Sequence, residues 1–246
     1  MRTANRITEH RAESAGPGLF AATTPLVREC GDPLVDIRKG TALRYGPPPE
    51  CPETAPHYCL LRRDVYQRLL RVQQSLPQGY YLRLYEGLRS LAVQARLFEQ
   101  EHARVRSRMP HAPASETHAA AARLVAPVTH FDGSMNIPPH STGGAVDVEI
   151  VDQSGKVIDF AMEIGDWANV DPKLCDPMCP DISDEAASNR RLLAVAMTQE
   201  GFASYSHEWW HFSYGDLHWA TFTGNTHAIY GPCPEAMIIA AAHTAI

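Results

Sequence analysis

The sequence has no long hydrophobic run. The apolar stretch near the C-terminus, 236–241, falls far short of the roughly 20 residues that a membrane-spanning helix needs. Residues 1–20 mix Arg, Glu, His and Gly and lack the apolar core of a secretory signal peptide. We therefore expect no membrane partner, and a cytoplasmic location is the default expectation.

Basic blocks, internal repeats and shifts of composition are lacking as well. The 22 Lys and Arg residues stand against 28 Asp and Glu, so the net charge is −6 and we expect no nucleic-acid partner. A hydrophobic share of 44% and a charged share of 20% are ordinary for a globular protein of 246 residues. These features predict a single domain over 26–246, preceded by a loosely ordered arm at 1–25. They leave the oligomeric state open.

Cysteine is sparse for a disulfide-based fold. The six cysteines are Cys30, Cys51, Cys59, Cys175, Cys179 and Cys233. Their even number permits disulfides if the protein is exported, so a periplasmic or secreted location stays open. At this density reduced thiols are favoured. The Cys175-x3-Cys179 pair resembles half of a metal site, but no second close Cys or His pair completes it.

The chain alternates between helical and strand patterns. Apolar spacings of three and four residues, with capping residues such as Ser90, predict helices at 60–76, 91–108, 114–125 and 186–200. Runs of aromatic and β-branched residues predict strands at 30–38, 80–86, 156–160, 202–206, 209–214 and 217–222, besides one that holds Asp147 and ends at Val151. Residues 165–184 read as a long irregular segment. Helices mixed with antiparallel hairpins predict an α+β fold with a central antiparallel sheet flanked by helices.

Two short motifs carry metal-ligating and acid–base side chains. His140-Ser-Thr-Gly-Gly-Ala-Val-Asp147 leads into a predicted strand, and Glu208-Trp-Trp-His211 follows later in the chain. Hydrolytic zinc sites commonly use three His and carboxylate ligands, with a further carboxylate as base. This pattern predicts one Zn²⁺ per chain, held by His140, Asp147 and His211 beside Glu208.

The spacing of these residues imposes two conditions on the backbone. Glu208 and His211 are three residues apart, so a regular strand would point them to opposite faces, and a bulge or strand end at 209–210 is required. The odd separation of His140 from Asp147 poses the same problem. It disappears if His140 lies on the incoming loop and the glycines at 143–144 redirect the chain.

Each of these residues, taken alone, can also be explained without a catalytic role. An isolated His140 before a strand is more often a surface or hydrogen-bonded histidine, and the tryptophans at 209–210 alone would be packing residues. Arg89 alone would be a surface arginine at a helix start, although a guanidinium offers two parallel donors to an oxyanion. Asp147 is harder to dismiss, because burying an unpaired acid between valines is costly. Taken together, these elements favour a site.

The paired motifs resemble those of a known family. His140-x2-Gly143-x-Ala145-x-Asp147 followed by Glu208-x2-His211 is similar to the zinc D-alanyl-D-alanine dipeptidases of the vancomycin-resistance type, peptidoglycan peptidases that share their fold with the hedgehog signalling domain. The resemblance covers roughly 81–214. It implies three zinc ligands at the positions named above, Glu208 as catalytic base, and a small D-amino-acid dipeptide as substrate. The segment Glu86-Gly-Leu-Arg89 resembles the one whose Arg stabilises the transition state, which implies that role for Arg89.

The sequence departs from this family where the substrate is held. Pro138 occupies the position of a Ser that contacts the substrate carboxylate, and Ser141 is the nearby hydroxyl that we take as a candidate contact. Glu163 and Asp166 are the candidates for the acid that binds the substrate amino group. Related readings are therefore a D,D-carboxypeptidase or another peptidoglycan peptidase with the same centre. The third reading, a zinc-stabilised binding domain without catalysis, is disfavoured because it needs neither a base nor Arg89.

Overall fold

The computed structural model describes residues 26–47, 52–241 and 243–244. The predicted arm at 1–25 and Cys51 lie outside the described residues. The helices are α1 (Arg63–Ser75), α2 (Leu91–Arg108), α3 (Ala114–Ala122), α4 (Asp184–Gln199), α5 (Leu217–Phe222) and α6 (Glu235–Ala241). The strands are β1 (Leu26–Val27), β2 (Leu34–Asp36), β3 (Arg44–Tyr45), β4 (Leu60–Arg62), β5 (Tyr81–Glu86), β6 (Ala145–Val151), β7 (Ala203–Tyr205), β8 (Glu208–Ser213) and β9 (His227–Ala228).

A mixed five-stranded sheet forms the centre of the molecule. Its strand order is β3-β5-β6-β8-β7, and β6 lies in the middle with all seven residues buried. Every pairing in this sheet is antiparallel except that of β3 with β5, which is parallel. The predicted α+β fold with a central antiparallel sheet is confirmed, with β3 as the one departure. Smaller pairs, β2 with β4 and β1 with β9, lie beside it.

The two faces of β6 have different environments. Val146, Val148 and Ile150 belong to the hydrophobic core, where they pack with the buried stripes of α1 and α4. Burying a side chain of this size stabilises the fold by about 1.5–3 kcal/mol relative to leaving it exposed. Asp147 and Glu149 alternate with these residues and point to the opposite face. The apolar face of β6 therefore packs the strand against the core, and the polar face presents side chains that can bind a ligand or react.

Arg62, at the end of β4, fixes the segment that enters β6. Its side chain is fully buried, and its Nε donates to the carbonyl oxygen of Thr142 at 2.8 Å. Its backbone N–H donates to the carbonyl oxygen of Gly143 at 2.9 Å. The Nη atoms bind Glu29 and the carbonyl oxygens of Asp32 and Gly231. Arg62 thus connects the turn before β6 to the segment 29–32 and to Gly231.

The predicted strand at 217–222 is wrong, because these residues form helix α5. Asp216 caps the helix by accepting a hydrogen bond from the backbone N–H of Trp219 at 2.8 Å. Gly215 precedes it at a φ of 73°, a backbone conformation that redirects the chain out of β8. The cap and the turn outweigh the β propensity of the aromatic and β-branched residues in this segment.

Other boundaries differ from the predictions in smaller ways. The predicted helix at 60–76 begins at Arg63, because the three residues before it pair with β2. The predicted strand at 30–38 is confined to β2 and is followed by a 3₁₀ turn, Ile37–Lys39. The predicted strand at 156–160 is only a bridge between Val157 and Val151. Asp152 forms the expected turn there, because its Oδ1 accepts from the N–H groups of Ser154 and Lys156.

The described residues include every cysteine except Cys51. The five cysteines in this part of the chain are free thiols. Among the described residues, no helix has the length and apolarity that crossing a membrane requires.

Candidate active site

His140 lies on the turn that leads into β6. The 3₁₀ turn Pro139–Thr142 ends at Gly143, whose φ of 71° lies in the left-handed region that favours glycine. A Cβ atom on Gly144 would collide with the carbonyl oxygen of Tyr214. The two glycines therefore turn the chain, as predicted, and bring the imidazole of His140 to the same face as Asp147.

Strand pairing brings the other two candidate ligands together. Asp147 on β6 is the register partner of His211 on β8. Asp147 Oδ1 lies 3.1 Å from His211 Nδ1, and Asp147 Oδ2 lies 3.3 Å from His140 Nε2. The two imidazoles approach to 3.1 Å between His140 Nε2 and His211 Nδ1. All three side chains are buried, with relative exposures of 5–6%.

An irregularity in β8 puts Glu208 on the same side as His211. Ser204 pairs with Phe212, whereas the next residue, Tyr205, pairs with Glu208, so the register shifts across the tryptophans at 209–210. Glu208 Oε2 consequently lies 3.7 Å from His211 Nδ1. The sequence required a bulge or a strand end at this point, and the register shift meets that condition.

Arg89 lies three residues after the end of β5, and its side chain is close to the same cluster. Its backbone N–H donates to the carbonyl oxygen of His140 at 3.2 Å. Its Nη2 binds the Glu86 carboxylate and lies 3.9 Å from Asp147 Oδ2, and its Nη1 donates to Gln94 Oε1 at 3.0 Å. Its Nε is buried without a hydrogen-bond partner. The guanidinium is thus held at both Nη atoms beside the cluster of candidate ligands.

Burial and neighbouring charges set the protonation of this cluster. Burial alone raises the pKa of Asp147, but the charges and hydrogen bonds of His140 and His211 outweigh it and hold that pKa below its usual range. Burial lowers the pKa of His211 despite its hydrogen bond to Asp147. Burial raises the pKa of Glu208 well above its usual range, the charge of Asp147 adds to the rise, and Arg89 opposes it.

The arrangement of donor atoms fits a metal ion. One ligand atom from each of His140, Asp147 and His211 lies within 4.8 Å of the others. His140 Nδ1 lies 2.8 Å from the carbonyl oxygen of Gly87, which only accepts, so Nδ1 carries the proton and the Nε2 lone pair points at the cluster. Two imidazole nitrogens and one carboxylate oxygen form a donor set suited to zinc.

The cluster forms the floor of a cavity of about 180 Å³. Glu86, Arg89 and Gln94 lie on one side, and the segment 122–126 after α3 forms a wall. Trp167, from the long segment 165–184, and Tyr205 lie on other sides. The Tyr205 hydroxyl donates to the carbonyl oxygen of Arg123 at 2.9 Å, which joins β7 to that wall. The cavity is thus lined by segments from distant parts of the chain.

The three residues predicted to contact the substrate do not line this cavity. Glu163 and Asp166 are exposed and are not among its lining residues. Ser141 is buried, with a hydroxyl that has no hydrogen-bond partner, and it does not line the cavity. Their role in substrate binding stays a prediction. The sequence reading missed Gln94 and Tyr205; a polar residue on the buried side of a predicted helix was the available signal for Gln94.

A cavity in which two histidines and an aspartate converge beside a buried glutamate and an arginine is typical of metal-dependent hydrolases. The chain belongs to the Peptidase M15 family, because the family model described as D-Ala-D-Ala dipeptidase matches residues 54–226. It is therefore a metallopeptidase, and the predicted family and enzyme class are confirmed. Every proposed ligand and catalytic residue lies within the matched range.

The chain is similar to individual proteins of this kind. It is 26% identical over 216 residues to a D-alanyl-D-alanine dipeptidase of Synechocystis sp., covering 79% of this chain and 86% of that protein. A D-alanyl-D-alanine dipeptidase of Escherichia coli is 33% identical over 73 residues, covering 30% of this chain and 36% of that protein. A solved LD-carboxypeptidase has a TM-score of 0.42 and 15% identity, over 82% of this chain and 77% of its own.

Proposed function

We propose that the protein is a zinc-dependent dipeptidase that hydrolyses D-alanyl-D-alanine, or a closely related small dipeptide, to free amino acids. The observation that carries the proposal is the convergence of three metal-ligand side chains, a buried glutamate and a buried arginine on one small cavity. The match of the chain to the dipeptidase family supports the substrate class.

In this proposal His140, Asp147 and His211 hold one zinc ion. Asp147 supplies the negative charge, and the Gly87 carbonyl keeps the Nε2 lone pair of His140 directed at the ion. When bound, zinc polarises the scissile carbonyl and lowers the pKa of water in the site. The remaining chemistry falls to residues of the chain.

Glu208 serves as the general base and proton shuttle. Its carboxylate is buried beside His211, but Glu208 is not one of the three residues whose ligand atoms cluster. It takes a proton from the attacking water and delivers it to the amine that leaves when the peptide bond breaks. The raised pKa of its carboxyl group, caused first by burial, suits a group that must both accept and release a proton.

Arg89 stabilises the oxyanion that forms on the scissile carbonyl. Burial by itself lowers the pKa of this guanidinium, but Glu86 outweighs burial and the pKa is raised, so the charge is kept. Its position is fixed by bonds to Glu86 and Gln94, so little reorganisation is needed when the oxyanion develops.

The size of the cavity favours a dipeptide over a longer peptide. A volume of about 180 Å³ lies below the roughly 300–1,000 Å³ of pockets that hold drug-sized ligands. The wall at 122–126 and Trp167 both line this cavity. The Cζ atom of Arg104 on α2 lies 5.3 Å from the ring centroid of Trp167. This contact helps to hold the indole ring in place at the cavity. A D,D-carboxypeptidase would need an open groove for the rest of its substrate.

A substrate panel tests the proposal. The zinc-loaded protein is incubated with D-Ala-D-Ala, L-Ala-L-Ala and a pentapeptide ending in D-Ala-D-Ala, and the release of alanine is measured. We expect release from D-Ala-D-Ala and little from the other two. Release from the pentapeptide in preference to the dipeptide would show a D,D-carboxypeptidase instead. Absence of hydrolysis from all three, with zinc bound, would contradict the proposed activity.

A further inference from the structure

Gln94 links Arg89 to the wall of the cavity. It lies in the first turns of α2 and is only 2% exposed. Its Oε1 accepts from Arg89 Nη1 at 3.0 Å, and its Nε2 donates to the carbonyl oxygen of Ala126 at 2.7 Å. Ala126 belongs to the segment 122–126, which lines the same cavity as His140, Asp147 and His211. The buried amide of Gln94 therefore binds Arg89 through its oxygen and the wall through its nitrogen.

Without this amide, the position of Arg89 would be less determined. The other side-chain bond to its guanidinium comes from Glu86, which binds Nη2 and lies on the preceding strand. A guanidinium held at two nitrogens has a fixed plane, whereas one held at a single carboxylate can pivot about it. The orientation of the guanidinium, and with it that of its Nε–H, therefore depends on the bond to Gln94.

We propose that Gln94 is a positioning residue that fixes the guanidinium of Arg89 for oxyanion stabilisation and couples that position to the wall at 122–126. The inference rests on the proposed function for its effect on turnover. Its geometric part, the immobilisation of Arg89, concerns the protein alone. The two parts can be measured separately.

The chain offers a matched control in Gln73 on α1. Its Nε2 donates to the carbonyl oxygen of Tyr80 at 3.2 Å, and its Oε1 accepts from the backbone N–H of Leu82 at 2.7 Å. It is a partly buried glutamine that also donates one bond and accepts one, but its acceptor bond is to a backbone N–H, and it does not line the cavity. Gln73→Leu and Gln94→Leu each remove one doubly bonded amide, so both should destabilise the fold.

The first experiment compares kcat and KM for D-Ala-D-Ala among zinc-loaded variants. We expect Gln94→Leu to lose about 10- to 100-fold in kcat, the usual range for a hydrogen bond to a charged group, and Gln73→Leu to keep its kcat. Gln94→Glu retains an acceptor for Arg89 and loses the donor to Ala126. We expect its kcat to lie closer to wild type, with a raised KM, because the wall is released while the arginine stays in place.

A double-mutant cycle tests whether the effect acts through Arg89. In an Arg89→Ala background, Gln94→Leu should cause no further loss of kcat. Independent losses that multiply in the double variant would overturn the inference, because Gln94 would then act on the substrate directly. Equal kcat in the Gln94→Leu and wild-type proteins would overturn it as well.

The geometric part has a readout that needs no substrate. The ¹⁵N–¹H signal of Arg89 Nε is assigned by its disappearance in Arg89→Lys, and its mobility is measured by NMR relaxation. We expect a rigid signal in the wild type and in Gln73→Leu, and a mobile one in Gln94→Leu. A signal that stays rigid in Gln94→Leu contradicts the inference even if the protein hydrolyses none of the tested dipeptides. Inactivity of the wild type with a mobile Gln94→Leu signal would instead contradict the proposed function alone.

Discussion

The carbonyl oxygen of Gly87 lies 2.8 Å from His140 Nδ1 and orients this imidazole toward Asp147 and His211. The backbone of Gly87 is itself held, because its N–H donates to the carbonyl oxygen of Tyr58 at 2.6 Å. A proposed metal ligand is thus oriented by a backbone group rather than by another side chain. Such partners of ligating histidines commonly change metal affinity when they are disturbed.

We predict that Gly87→Ala weakens zinc binding. An added Cβ would lie 2.7 Å from a methyl group of Leu61 and 2.8 Å from the carbonyl oxygen of Leu60, so the backbone at Gly87 must shift. The carbonyl that orients His140 moves with it, and we expect zinc affinity to fall by about 10- to 100-fold. The zinc dissociation constant measures the effect. Gly231→Ala is the control, because its Cβ would meet ordinary contacts at 3.4 Å or beyond. Unchanged affinity in Gly87→Ala would show that the carbonyl is dispensable.

We predict that Asp147→Asn loses zinc whereas Glu149→Gln keeps it. Both acids lie on the same face of β6 and are buried, but Glu149 binds Arg83 and not the histidines. The amide at position 147 keeps the size of the side chain and removes the ligand charge. Zinc content after dialysis measures the difference. If both variants retained one zinc ion per chain, Asp147 would not be a ligand.

We predict that Glu208→Gln retains zinc and loses turnover. The amide cannot take a proton from water, so we expect kcat to fall by roughly 10²- to 10⁴-fold, the range attributed to general acid–base catalysis. Glu200→Gln, an acid paired with Arg71 on the surface, is the control and should keep its kcat. Both zinc content and kcat are measured on the same preparations. Turnover near wild type in Glu208→Gln would remove Glu208 from the mechanism.

How far the sequence determines this site differs from residue to residue. His140, Asp147 and Glu208 were predictable, because their chemistry and spacing appear in two short motifs. The required irregularity at 209–210 was also predictable, since a period of two cannot place Glu208 and His211 on one face. The two motifs and the irregularity can both be read from neighbouring residues, without knowledge of distant contacts.

The remainder of the cavity depends on contacts that a single sequence does not display. Gln94 meets Ala126, and Tyr205 meets Arg123, only after the chain has folded, and no local pattern marks either pair. The helix α5 was missed for a different reason. Its residues favour strands individually, and the capping bond from Asp216 decides the outcome.

We predict that Arg62→Met destabilises the protein and disturbs zinc binding at a distance. The substitution keeps the apolar stem but leaves the carbonyl oxygens of Thr142, Asp32 and Gly231 without their donor. At about 1–3 kcal/mol for each of the two buried acceptors left unpaired, those of Thr142 and Gly231, the free energy of unfolding should fall by roughly 2 kcal/mol or more. Denaturant unfolding of the zinc-free protein measures this change.

The matched control is Arg38→Met. Arg38 also binds an acid, Asp36, and the carbonyl oxygens of Ala55 and Pro56, but its bonds are exposed to solvent. Water replaces such bonds, so we expect a loss below about 1 kcal/mol. Because the Thr142 carbonyl lies two residues from His140, zinc should bind more weakly to Arg62→Met and as in wild type to Arg38→Met. Equal stability losses with unchanged zinc affinity in both variants would show that the turn before β6 holds its shape without Arg62.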